Sequence, residues 1–388
     1  MIPMGRLAAI LGLLAAFGPL SIDMYLPALP VIGASLGGGM EGAQLTLAAY
    51  FLGMAMGQLL HGPLSDRLGR RRPLFAGLAI YIAASAACAV ATSMEALIAL
   101  RLLQALAGCA GMVISRAVVR DVADQTDPVR LMGRLILVMG VAPILAPLAG
   151  GYIAAWFGWR AIFWVLAGIG LSALILCAAF LPETLPSDRR RRVPLSSVLR
   201  SYAGLLGNPR FMGAALASGF AIAGMFAYIA GSPFVFITLN GVAPEHYGWL
   251  FGAGACGFIA LSQISAQLAT RFGRERLFTL TIGAIAACGL TLIILTVVGA
   301  PFAACYAAIF VYVSLLGIAM PLGTVITITP FPHMAGTASG LVGTLQFGLG
   351  ALAGILTAAL HDGTALPMAL AIGLPGTAAL AARLMLRG

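Results

Sequence analysis

Asp23 and Arg101 are the residues of this chain whose types and placement could do chemistry that their neighbours cannot. Asp23 stands in "PLSIDMYLPALP", Pro19 to Pro30, and Arg101 in "LIALRLLQ", Leu97 to Gln104, each an ionisable group inside an apolar run. Burial favours the neutral form of a carboxyl group and a neighbouring guanidinium favours the charged form, so such a pair can take up and release a proton near cellular pH. A second constellation, "GPLSDRLGRRR" from Gly62 to Arg72, sets Asp66 among four arginines. There a carboxylate can accept hydrogen bonds or face the positive end of a neighbouring helix.

The elements that must position these groups are membrane spans. The 388 residues are 61% hydrophobic and 9% charged, against about 25% charged in an ordinary soluble domain, and mean hydropathy is +1.02. A span takes about 20 mainly apolar residues. Twelve stretches qualify, near 7–29, 43–62, 73–92, 95–116, 131–155, 160–181, 210–238, 246–269, 277–298, 301–328, 335–360 and 364–386. The fold class expected is therefore all-α integral membrane, with twelve transmembrane helices in two six-helix halves, 1–181 and 211–388. The halves are joined by a cytoplasmic linker, 182–210, which holds a short interfacial helix from Leu195 to Leu206.

Every basic residue is arginine, and 20 of the 22 fall on one side of this twelve-span arrangement. Only Arg160 falls on the other side, and Arg101 lies within a span. By the positive-inside rule both termini are then cytoplasmic. The basic balance reads as this loop bias and not as a nucleic-acid surface, because hardly any chain is left outside the membrane. The six cysteines all sit in apolar runs, which suits neither a disulfide framework nor a metal site.

The halves also repeat. "GPLSDRLGRRR" between spans two and three has a partner 204 residues on, "AQLATRFGRER" from Ala266 to Arg276, between spans eight and nine. Paired halves are the architecture of a rocking transporter with its site between them. Asp23 lies seven residues from Pro30, about 10 Å deep at 1.5 Å per residue, and Arg101 lies six residues from Glu95, about 9 Å deep. Equal depth makes each the other's expected partner, since an isolated charge costs roughly 2.5–3.5 kcal/mol or more near the bilayer centre. An ion pair that merely braces spans one and four is the alternative. Past Phe211 the acids Glu245, Glu275 and Asp362 sit at loops and His333 caps the inner end of span eleven, so proton coupling must run through the first half.

At this point the residues carry a family resemblance. Gly62 to Arg71 resembles the signature loop of the major facilitator superfamily. "SIDMYLPALP", "RLLQ" (Arg101 to Gln104), "APILAPLAGG" (Ala142 to Gly151), "ASGFAIAGMFAYIAGSPFVF" (Ala217 to Phe236) and "FPHMAGTASG" (Phe331 to Gly340) resemble its Bcr/CflA, or bicyclomycin-resistance, transporters. Span five is also similar to the superfamily's antiporter motif, with Ala142 and Ala146 where glycine is usual; Pro143, Pro147, Gly150 and Gly151 then serve close helix packing.

The resemblance implies the major facilitator fold and a drug:proton antiporter of the bacterial inner membrane. It needs no cofactor beyond the proton gradient, and its partners are a small drug-like molecule, protons and lipid, with a monomer expected. Asp23 and Arg101 carry the proton coupling. Substrate contacts are expected from Asp23, Gln104, Met225, Phe226, Tyr228, Phe234 and Gln346. Gly62 and Gly69 permit a tight loop, and Asp66, Arg67 and Arg70 form a conformational latch with Arg120. The resemblance supplies Asp66's partner as an arginine at the inner end of span four, and Arg120, 19 residues and about 28 Å beyond Arg101, reaches that surface.

Rival classes fit less well. A primary pump needs a GxxxxGK[ST] phosphate loop, which a chain without lysine cannot have, and the four histidines are too isolated for a membrane-embedded hydrolase. The nearest rival is another carrier of this type, moving a sugar, an amino acid or another small metabolite.

Overall fold

The structure is a computed structural model. It describes residues 4–122, 128–187, 190, 195–331 and 334–386, with the backbone alone at 4, 128–139 and 195–199. His333 and the arginines at 189, 191, 192 and 387 lie outside the described residues, as do the side chains of Arg130 and Arg134.

Apolar runs of this length can cross a bilayer only as helices, which satisfy their own backbone groups. Among the described residues twelve helices are long and apolar enough: Gly5–Ser35, Gly39–Leu68, Arg71–Ala89, Met94–Asp121, Gly140–Phe157, Trp159–Phe180, Pro209–Leu239, Pro244–Phe272, Arg274–Val297, Phe302–Ile328, Ala335–Ala359 and Leu366–Met385. They are spans one to twelve. Most ends differ from the expected ones by a few residues, and polar side chains cap two of the starts. Ser93 accepts from the Ala96 N–H at the start of span four, and Asn208 from the Phe211 N–H at the start of span seven, each meeting one orphan donor of a helix N-terminus. The fifth helix begins at Pro128, earlier than its apolar window.

The repeat is present in the backbone. Span two ends at Gly69 with φ of 89° and span eight at Gly273 with φ of 80°, a left-handed conformation that glycine adopts without penalty. Gly62 is not part of that turn. The helix runs on through it to Leu68, so the expected tight loop is confined to Gly69. Spans one with five, two with four, three with four and three with six pack together, and the same pairs recur six spans later. The halves meet where span two lies along span eleven and span five along span eight.

Lipid offers no hydrophobic drive to join helices, so the contacts depend on small residues that let backbones approach. Gly150 faces the Met24 carbonyl of span one and Gly151 the Pro244 carbonyl of span eight, each too close to accept a Cβ. Span five is thereby wedged between one residue of the Asp23 segment and the opposite half. Replacing Gly150 with Val is expected to cost about 1–3 kcal/mol through overpacking, read as a lower melting temperature in detergent and weakened transport.

The linker helix is Leu195–Leu206 as expected, but it does more than rest on lipid. Tyr202 and Leu205 pack with Phe211, Ala215, Ala338 and Leu341 under the inner ends of spans seven and eleven. This burial pushes the Tyr202 phenol above its ordinary pKa.

Candidate transport site

Span one is broken at the site. Its first helix, Met4–Asp23, stops at the acid, and a 3-10 turn, Leu26–Ala28, leads into a second helix, Leu29–Ser35. Pro27 and Pro30 account for the break, since proline has no N–H to give and disfavours helical geometry in the residue before it. A helix end frees carbonyls. Met24 N–H still reaches the Leu20 carbonyl, and no backbone N–H reaches that of Ser21.

Arg101 takes the place of that missing donor. Its Nη2 donates to the Ser21 carbonyl at 2.9 Å and its Nη1 to Gln104 Oε1 at 2.6 Å. The guanidinium lies 4.2 Å from the ring of Tyr50 and 4.6 Å from that of Tyr25. The side chain is wholly buried. A cation at a helix C-terminus meets the negative end of the dipole, and the ring faces add a cation–π attraction. Gln104 in turn donates to Ser85 Oγ at 2.7 Å, Ser85 to the Tyr81 carbonyl at 2.7 Å, and the Tyr81 hydroxyl lies 2.7 Å from that of Ser21. The result is a polar ring tying spans one, three and four.

Asp23 is not in that ring. The expected ion pair with Arg101 is absent; among the described residues the carboxyl has neither a hydrogen bond nor an ion pair, and the residue is 4% exposed. The break turns it away from Arg101 and towards the other half, within electrostatic reach of Tyr228 on span seven and Tyr247 on span eight, and of Tyr50 on span two. Residues 21–29 are all buried, and the 3-10 turn after Asp23 packs against spans seven and eight of the other half, which closes the halves together on its outer side.

Aromatic rings pack at this level, one pair of them across the halves. Phe226 lies 4.3 Å from Phe51 across the halves and is stacked on Phe347 at 5.3 Å. Tyr228 stacks on Phe251 at 5.5 Å, and Phe234 stands edge-on to His361 at 4.5 Å. Three of the expected substrate contacts, Phe226, Tyr228 and Phe234, are thus packed into the seal, and Gln104 is held by Arg101 and Ser85. Met225 and Gln346 remain partly exposed.

The contacts among the residues expected to form the latch gather around Arg70. Its guanidinium meets Asp66 at 2.5 Å and Asp121, at the inner end of span four, at 2.8 Å. Burial opposes its charge, and the carboxylates of Asp121 and Asp66 outweigh this, holding Arg70 above its ordinary pKa. Glu183, past the end of span six, accepts from the backbone N–H of Arg70 and Arg71. Arg120 is not the partner of Asp66. It points instead towards Gly336 at the start of span eleven, while Arg67 is exposed. The second half repeats the tie between its third and sixth spans with Glu275 and Arg383. Exchanging Arg70 for Met is expected to slow transport about tenfold or more, since breaking a buried pair costs about 3–5 kcal/mol. Arg67→Ala in the same export assay should act as wild type.

Sequence reasoning missed Asp121, Glu183, Ser21, Tyr25, Tyr50, Tyr81 and Ser85. Asp121 carried a signal, an acid among arginines at a span end. The tyrosines and serines carried none beyond being polar in apolar runs.

The family profile described as Major Facilitator Superfamily matches residues 11–355. An uncharacterized MFS-type transporter of Bacillus subtilis, YdgK, is 35% identical over 93% of this chain and 90% of its own length. A bicyclomycin resistance protein homolog of Haemophilus influenzae is 30% identical over 94% and 91%. The crystal structure of a D-xylose-proton symporter superposes with a TM-score of 0.73 at 15% identity, covering 98% of this chain and 96% of that one, a likeness of fold alone.

Proposed function

Because the chain belongs to the major facilitator superfamily, a family of transporters and not of enzymes, we propose that it exports drug-like molecules from a bacterial cell in exchange for protons, with Asp23 as the coupling acid. It does so as a monomer in the inner membrane with both termini in the cytoplasm. The drug-like substrate class is supported by the bicyclomycin-resistance relative. The coupling role is supported by one observation above all, a carboxyl closed under the outer seal with no partner among the described residues.

A carboxylate deprived of water and partners costs several kcal/mol, and such a group neutralises instead. Closing the outer side over Asp23 therefore requires that it carry a proton. Facing out, Asp23 takes the proton and the seal can form; facing in, the proton leaves to the cytoplasm and substrate binds. The outward return then runs with substrate aboard. An empty carrier with an ionised Asp23 cannot close its outer side, which prevents cycling without a proton.

The test is transport in proteoliposomes under an imposed pH gradient, with an internal pH dye read as antimicrobials are added. Substrate-dependent proton release is the expected result. Substrate flux with no proton signal would overturn antiport and favour a uniporter of a sugar or another metabolite.

A further inference from the structure

Five buried side-chain atoms in the described residues lack a hydrogen-bond partner, and two of them, the Tyr50 hydroxyl and Arg101 Nε, belong to side chains in contact. Buried polar groups are nearly always paired, so orphans ask for an explanation. Nε can only donate, and the Tyr50 hydroxyl has a hydrogen to give. What this locus lacks is an acceptor.

On span one, the Ser21 hydroxyl lies near Tyr50 but makes its bond to Tyr81, and the Tyr25 hydroxyl is bonded to Thr46. On span three, Ser85 is held by Gln104 and Tyr81, and Cys88 is an unpaired thiol, a weak acceptor. On span four, Gln104 is engaged at both ends and Cys109 bonds the Met54 carbonyl. On spans seven and eight, Tyr247 is paired with Ser232, and Tyr228 is stacked on Phe251. The other orphaned acceptor among the described residues, Gln44 Oε1, lies six residues away along span two, about 9 Å, so the strong acceptor left at this locus is the carboxyl of Asp23, and Tyr50 lies within electrostatic reach of both Asp23 and Arg101.

We propose that Tyr50 is a positioning residue for Asp23: once the acid is ionised, its carboxylate swings at the break in span one to accept hydrogen bonds from the Tyr50 hydroxyl and Arg101 Nε. This rests on the reading of Asp23 as the coupling acid. The proton lost from Asp23 passes to water on the inner side, and Tyr50 keeps its own. The ring, fixed against the guanidinium, holds the hydroxyl between two groups that do not meet in the sealed conformation. The pair absent here is thus the other position of a switch, and Tyr50 sets the proton affinity at which it is thrown.

Infrared titration of the purified protein reads this without any transport step. The protonated-carboxyl band of Asp23 is the one missing from Asp23→Asn. Tyr50→Phe keeps the ring over Arg101 and removes the hydroxyl. Loss of one hydrogen bond to a charged group should move the midpoint of that band up by about one pH unit, with the melting temperature unchanged. Arg101→Lys, which keeps a charge and loses the Nε donor, should move it the same way. A wild-type midpoint in both variants overturns the role of Tyr50. Absence of substrate-driven proton release in wild-type liposomes would overturn the antiport reading instead, and the two failures are separately visible.

Discussion

Asp23→Asn is expected to lose at least about 99% of export driven by a pH gradient, along with substrate-dependent proton release. Asparagine has nearly the shape of aspartate and stays neutral at every pH, so the outer side can close over it whether or not a proton is available. What disappears is the penalty that makes closure conditional. That penalty is several kcal/mol for an unpartnered buried carboxylate, and each 1.4 kcal/mol is a factor of ten. The variant should fold normally and melt at or above the wild-type temperature, because the seal contains no donor that the carboxylate satisfies. Purified wild type and variant in matched liposomes give the comparison. A variant that keeps its proton signal would make Asp23 a bystander and return the coupling to some other group.

Arg101→Ala should stop transport and also weaken the fold, by about 3 kcal/mol or more. Three things go at once: the donor to the freed Ser21 carbonyl, the partner of Gln104 Oε1, and the filling between the rings of Tyr25 and Tyr50. Orphaned buried acceptors cost about 1–3 kcal/mol each, and large-to-small replacement adds a cavity cost. Arg101→Met separates these effects. It fills the space without hydrogen bonds, so it should recover the cavity's share of the lost melting temperature, leave the two acceptors orphaned and restore none of the transport. Lysine is no substitute at this place, since one ammonium on a flexible stem does not reproduce the planar fork that holds Gln104 and Ser21 together. Melting curves in detergent beside transport rates decide the matter; an Arg101→Met protein that exports normally would reduce Arg101 to a brace.

Much of this was legible in the sequence, and the limits have physical causes. Spans are readable because the bilayer imposes a length and an apolar composition, and the linker helix came out at Leu195–Leu206. Asp23 and Arg101 stand out because charge inside a span is expensive. Their partnership was misjudged because depth along a helix says nothing of the direction a side chain takes around it. Pro27 and Pro30 were in view, but the turn they impose on Asp23 depends on what packs there, including Gly150 against Met24. That Asp121 and not Arg120 joins the Asp66–Arg70 cluster has the same origin, since one step along a helix rotates a side chain by about 100°. The tyrosines and serines around Arg101 were invisible because such residues also pack in spans for ordinary reasons.

The seal of Phe51, Phe226 and Phe347 is ring against ring. To open it is to wet apolar surface, so the free energy of opening should carry a large positive heat capacity, as unfolding a hydrophobic core does. The balance between sealed and open states then follows a curve in temperature, with the seal weakening on cooling as apolar hydration becomes less unfavourable. A gate of this kind makes the transporter's resting state a property of water as much as of the protein, and sets its working range by the same thermodynamics that sets the range of folding.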